Sequence, residues 1–180
     1  NDPKRQTVDQ ALGEEFSHAV LNAKYTGSLY YCDDWATREL ARTSESISGT
    51  SSQGFLRAAF RKGMLSQADY ERCILKLISS NYEFISYSES TYWQHLLDNG
   101  YRADELFERL VGRVNESSID KEGAFRMLGI FVAMIWLNVN RQGDGRSILI
   151  SVIGKHLEQA FYGVYADNIA HFVISIVAYL

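Results

Sequence analysis

The sequence predicts an α/β fold: a parallel sheet with helices over residues 1–100, followed by an all-helical extension over residues 101–180. Three observations predict it. Short apolar runs alternate with helical periodicity in the first hundred residues, the spacing of repeated strand–helix units. Strand signals disappear after about Gly100. A single Pro in 180 residues suits a helix-rich chain.

The elements follow in order. Thr7 to Lys24 carries Val8, Ala11, Leu12, Ala19, Val20 and Ala23 at helical spacing, and Gly27 ends this region. Ser28 to Cys32 is a continuous apolar run, as expected of a strand covered on both faces. Asp34 to Arg42 reads as a short helix with Ala36, Leu40 and Ala41 inward. Ile47 to Thr50 reads as a second strand stopping at Gly49. Ser51 to Lys62 is helical, with Phe55, Leu56, Ala59 and Phe60 on one face and Gly63 as its stop. Ser66 and Asp69 have capping-box spacing and open a helix carrying Tyr70, Cys73, Ile74, Leu77 and Ile78. Glu83 to Tyr87 is the expected third strand, and Ser88 or Ser90 caps the next helix, with Tyr92, Trp93, Leu96 and Leu97 apolar.

Beyond Gly100 four helices are expected: Asp104 to Val114, Asp120 to Asn138, Arg146 to Tyr162 and Asp167 to Leu180. Ser117 to Asp120 reads as a capping start, and Asn140 to Arg146 is a turn-rich break. In the last helix Ile169, Phe172, Val173, Ile176 and Leu180 share a stripe. Phe131, Val132, Ile135 and Trp136 form a broad apolar surface, expected to be core or to pack on a missing segment or a second subunit.

Composition narrows the function classes. The net charge of −4 and pI of about 5.6 give no broad basic footprint of the kind that coats nucleic acid, but leave room for an enzyme that meets a few phosphates through a metal. Cys32 and Cys73 lie in apolar runs without CxxC spacing and read as small buried hydrophobes in a reducing, cytoplasmic setting. No apolar run approaches the roughly 18 residues of a membrane span. His95, His156 and His171 form no zinc-binding spacing. Ser86, Ser88 and Ser90 lack the GxSxG context of a nucleophile elbow.

The chemistry-bearing feature is Asp33-Asp34, two acids where a strand stops and a helix starts. In α/β units, ligands bind at that carboxyl edge. A helix from Glu15 to Lys24 rises about 14 Å at ~1.5 Å per residue, and a strand from Ser28 to Asp33 about 17 Å at ~3.3 Å per residue. The match brings Glu15, or Glu14 one place earlier, level with Asp33. Crowded carboxylates repel unless a cation joins them, and Mg²⁺ or Mn²⁺ suits an all-oxygen cluster. The structural alternative makes Glu14 and Glu15 a solvated helix face and Asp34 a helix cap. His18 stands one turn after Glu14, where it can orient a metal ligand, act as a general base, or simply pair with Glu14 at the surface. Arg38 and Arg42 follow on the same helix, for phosphate contact or, for Arg38, pairing with Asp34.

Gly13-Glu14, the small-residue helix, Leu29 to Asp34, Arg38, Leu40-Ala41, Ile47 to Thr50, Phe55-Leu56, Ala58, Gly63, Leu77 and Phe84 to Ser86 together resemble the back half of a PIN-like nuclease domain, over residues 7–98. The resemblance implies a partial three-layer sheet and an acidic cluster that binds Mg²⁺ or Mn²⁺ and cleaves RNA by metal-activated water. By position it makes Glu14, Glu15, Asp33 and Asp34 the metal ligands, with Asp33 and Glu15 catalytic, and gives Arg38 and Thr50 a place near the substrate phosphate. Such domains open with a strand ending in Asp. Nothing before Gly13 supplies it, so the resemblance implies either an upstream segment that completes the site or a degenerate site. It implies prokaryotic toxin or conflict-system context. The alternative expectation is a catalytically inactive PIN-like module that binds a partner protein or dimerises through its helical extension.

Overall fold

The computed structural model describes residues 13–82, 85–116, 119–139, 145–161 and 166–180. The element order is α1 (Glu14–Thr26), β1 (Tyr30–Tyr31), α2 (Trp35–Glu45), β2 (Gly49–Thr50), α3 (Ser52–Arg61), α4 (Gln67–Ser79), α5 (Glu89–Asn99), α6 (Glu105–Gly112), a 3₁₀ turn (Arg113–Asn115), α7 (Lys121–Asn138), α8 (Gly145–Phe161) and α9 (Ala166–Tyr179). The chain is mostly helical, with one small parallel sheet among the described residues. It gathers into two compact units, one ending at Tyr70 and one starting at Glu71. The sequence reading had set the change at Gly100.

In the first unit, local chemistry sets most boundaries. Gly27 ends α1 with φ 64°, a left-handed conformation, and its amide reaches the carbonyls of Ala23 and Lys24. Asp34 caps α2 and Ser51 caps α3, each side chain accepting the backbone N–H three residues on. α2 runs to Glu45, one turn past the expected stop at Arg42. β1 and β2 pair in parallel, Tyr30 opposite Gly49 and Tyr31 opposite Thr50. Val20, Ala23, Tyr30, Ala41 and Ile47 form the core, with Phe16 and Cys32 against it.

Several sequence expectations are corrected. β1 is not covered on both faces, because Tyr31 is 58% exposed. Of the expected inward face of α2, Ala41 alone is buried, with Leu40 half-buried and Ala36 exposed. On α3, Phe55 stands 63% exposed. Both cysteines are free thiols of intermediate burial rather than core residues. Among the described residues the sheet has two strands. Glu83 and Phe84 of the expected third strand lie outside them, and Ile85 to Ser88 is irregular. The Ser88 amide donates to Thr91 Oγ1 in a capping box, so it opens α5 instead of joining a ladder.

The second unit is a helical assembly around Tyr92, Phe107, Leu110, Phe125, Leu128 and Phe131, all at most 1% exposed. Tyr92 and Phe131 stack with ring centroids 4.9 Å apart. Full burial of side chains of this size contributes roughly 1.5–3 kcal/mol each. α9 packs along α7 with close backbones: a β-carbon at Gly129 would stand 2.6 Å from the Phe172 carbonyl oxygen. The predicted α9 stripe is split by this packing. Ile169, Val173 and Leu180 are exposed, whereas Ser175 is buried. The broad α7 surface divides likewise: Phe131 and Ile135 are core, and Trp136 is 48% exposed beneath the Arg146 guanidinium. Ser117, Ser118 and Asn140 to Asp144 of the two predicted turn regions lie outside the described residues.

Candidate acidic site at the carboxyl edge of the sheet

The β1–α2–β2 crossover places Asp33 and the start of α3 at one sheet edge. Asp33 Oδ1 accepts from the Ser52 backbone N–H at 2.6 Å, and Oδ2 accepts from the Ser52 hydroxyl at 2.7 Å. The Tyr31 hydroxyl lies 2.5 Å from Ser52 Oγ and 3.5 Å from Asp33 Oδ2. A carboxylate at a helix start meets unpaired amides and the positive end of the helix dipole. Asp33 therefore clasps α3 to the end of β1. Ser52 and Tyr31 were not singled out by the sequence reading. The available signal was a hydroxyl residue at the first position of a helix that follows a strand.

Asp34 points its Oδ1 at Thr37, whose backbone N–H donates at 2.6 Å and whose hydroxyl donates as well. The Thr37 hydroxyl, then its amide, and more weakly the Arg38 charge hold the Asp34 carboxyl below its ordinary pKa. Arg38 donates its backbone N–H to the Asp34 carbonyl at 3.2 Å, and its side chain turns elsewhere. Its guanidinium donates to the Cys32 carbonyl, and its stem crosses Gly49, where a β-carbon would stand 3.1 Å from it. Thr50 Oγ1 is close to the Ser51 carbonyl at 3.5 Å and covers Gly54. Arg42 pairs with Glu39, not with the acidic edge.

Glu14 and Glu15 are exposed in the first turn of α1. His18 is exposed on the same helix. Among the described residues, no group of three or more His, Cys, Asp or Glu side chains is arranged to hold a metal ion. The four predicted ligands therefore do not gather into one cluster. The length-matching expectation assumed a strand from Ser28, whereas the paired strand begins at Tyr30 and α1 runs on to Thr26.

Asp33-Asp34 still has the right donor chemistry for a hard cation. Mg²⁺ is commonly held by one or two protein carboxylates, with water and substrate phosphates filling the remaining positions. A carboxylate offers about four acceptor positions, and Ser52 takes two of those on Asp33. Among the described residues no helix is long and apolar enough to cross a membrane. No family model matches the chain, and no curated protein or solved structure matches it.

Proposed function

We propose that the first unit is a PIN-like module, the back half of a three-layer domain, whose Asp33-Asp34 edge serves Mg²⁺- or Mn²⁺-dependent cleavage of RNA phosphodiesters. The observation that carries this reading is the parallel register of β1 and β2, which sets Asp33 against Ser52 at a carboxyl edge. That edge is where α/β folds bind ligands. A divalent ion bound there supplies an activated water and polarises the phosphodiester. The chain's own residues do the positioning. Ser52 fixes both oxygens of Asp33, Thr37 keeps Asp34 ionised, and the Tyr31 hydroxyl borders the pair. Glu14 and Glu15, exposed in the first turn of α1, do not join Asp33 and Asp34 in a metal-holding group.

The test is Mn²⁺ binding by calorimetry and cleavage of a single-stranded RNA, repeated with Asp33→Asn. Loss of Mn²⁺ affinity and of cleavage is expected; unchanged binding and cleavage sinks the assignment. A second reading, a non-catalytic PIN-like module that binds a partner protein, is favoured by one specific observation. Both Asp33 oxygens are already engaged by Ser52, as in a structural clasp. That reading expects no Mn²⁺ affinity in the parent chain, with Asp33→Asn and Ser52→Ala lowering stability alike.

A further inference from the structure

The second unit contains a cavity of about 650 Å³, walled by the segment before α5, the 3₁₀ turn and the first turns of α7. This lies within the roughly 300–1,000 Å³ typical of small-molecule sites. Its charged lining is balanced: Arg113 and Arg126 on one side of the ledger, Glu89 and Asp120 on the other. Its apolar lining includes Ile85, Met127 and Ile130.

Arg113 lies between Tyr87 and Glu116. Its guanidinium lies over the Tyr87 ring, 5.3 Å from the centroid. Its Nε stands 3.2 Å from Glu116 Oε1, near enough for charge attraction, yet that buried Nε has no hydrogen-bond partner. Asp120 is the N-cap residue of α7 by position, but its carboxylate makes no capping hydrogen bond. A simple anion entering this cavity meets two carboxylates, and a simple cation meets two guanidiniums. A ligand with both charges and an apolar middle satisfies the whole lining.

We propose that this cavity binds a small amphipathic zwitterion of the dipeptide kind, its carboxylate toward Arg113 and Arg126 and its ammonium toward Asp120 and Glu89. The site is independent of the acidic edge of the first unit.

The experiment titrates the full chain by calorimetry with the dipeptide Leu-Phe, its N-acetyl form and its C-terminal amide. The free dipeptide is expected to bind about tenfold or more tightly than either blocked form, the equivalent of one charge-assisted hydrogen bond. Arg126→Gln should erase the preference over the amide while keeping the preference over the N-acetyl form. Asp120→Asn, which retains a good capping residue, should do the reverse. No binding of the free dipeptide at millimolar concentration overturns the proposal. So do equal affinities for all three ligands, or a preference that both substitutions leave unchanged.

Discussion

The ring of buried His95 donates to Asp104 across 2.7 Å, and the same carboxylate oxygen accepts the Phe107 amide at 2.9 Å. One side chain thus caps α6 and holds the end of α5. Asp104→Ala should cost about 2 kcal/mol, the upper end of the range for a lost N-cap, because it also strands a buried imidazole. Asp104→Asn, which can still cap, should cost less. Urea denaturation followed by circular dichroism measures both; equal losses would show that capping is not the relevant role.

This pair also sets a pH dependence. Burial pushes the Asp104 carboxyl up, but donation from Phe107, His95 and Asn99 outweighs it and leaves the group below its ordinary pKa. A carboxyl whose folded-state pKa is depressed adds stability above its unfolded pKa, and that stability is lost as pH falls through the folded value. Wild-type protein should therefore lose stability on acidification below about pH 4, the ordinary Asp range. The Asp104→Ala variant should show a shallower loss in a pH series of urea midpoints.

Glu71 has the opposite sign. Its carboxylate is buried, accepts the Thr91 hydroxyl at 2.6 Å, and is pushed upward chiefly by burial. An acid with a raised folded-state pKa favours folding most at low pH, and that contribution is lost as pH rises through the folded value. Glu71→Gln keeps an acceptor for Thr91 without the buried charge. The variant should be more stable than wild type at pH 7, with the difference shrinking below the ordinary Glu range. A variant less stable at pH 7 would mean that the ionised form is the favoured one.

Gly129 marks the closest approach of α7 and α9. A β-carbon there would stand 2.6 Å from the Phe172 carbonyl oxygen and 3.0 Å from Ser175 Cβ. Backbone has little room to yield, so Gly129→Ala should cost about 1–3 kcal/mol, as overpacking usually does. Gly154, where a β-carbon meets nothing within 4 Å, is the control. Gly154→Ala should stabilise α8 by up to ~1 kcal/mol through helix propensity.

At the acidic edge, a double-mutant cycle of Asp33→Asn and Ser52→Ala should return a coupling of about 1–2 kcal/mol, the scale of charge-assisted hydrogen bonds. Additive effects would mean the clasp carries no energy of its own.

Features written within a few residues were legible in the sequence. Asp34, Ser51, Ser66 and Ser88 announce helix starts because a short polar side chain satisfies amides two or three positions away. Gly27 and Gly63 announce stops because each adopts a left-handed conformation, φ 64° and 71°. The two strands were legible from composition. What failed depended on distant partners. Arg38 was read against its helical neighbour Asp34, but its guanidinium goes to Cys32 and its stem to Gly49. The α9 stripe was read as one face, but the close approach at Gly129 selects Ser175 instead. The partner of Asp33, 19 residues away, has no periodic signature at all.

That 19-residue separation has a kinetic meaning. The clasp between Asp33 and Ser52 closes one short loop containing a single helix. Closing a flexible loop of about 10 residues takes roughly 10–100 ns, and doubling loop length adds only ~0.6 kcal/mol of entropy. Parallel pairing, ordinarily the slow long-range search of a folding chain, becomes in this crossover an almost local event.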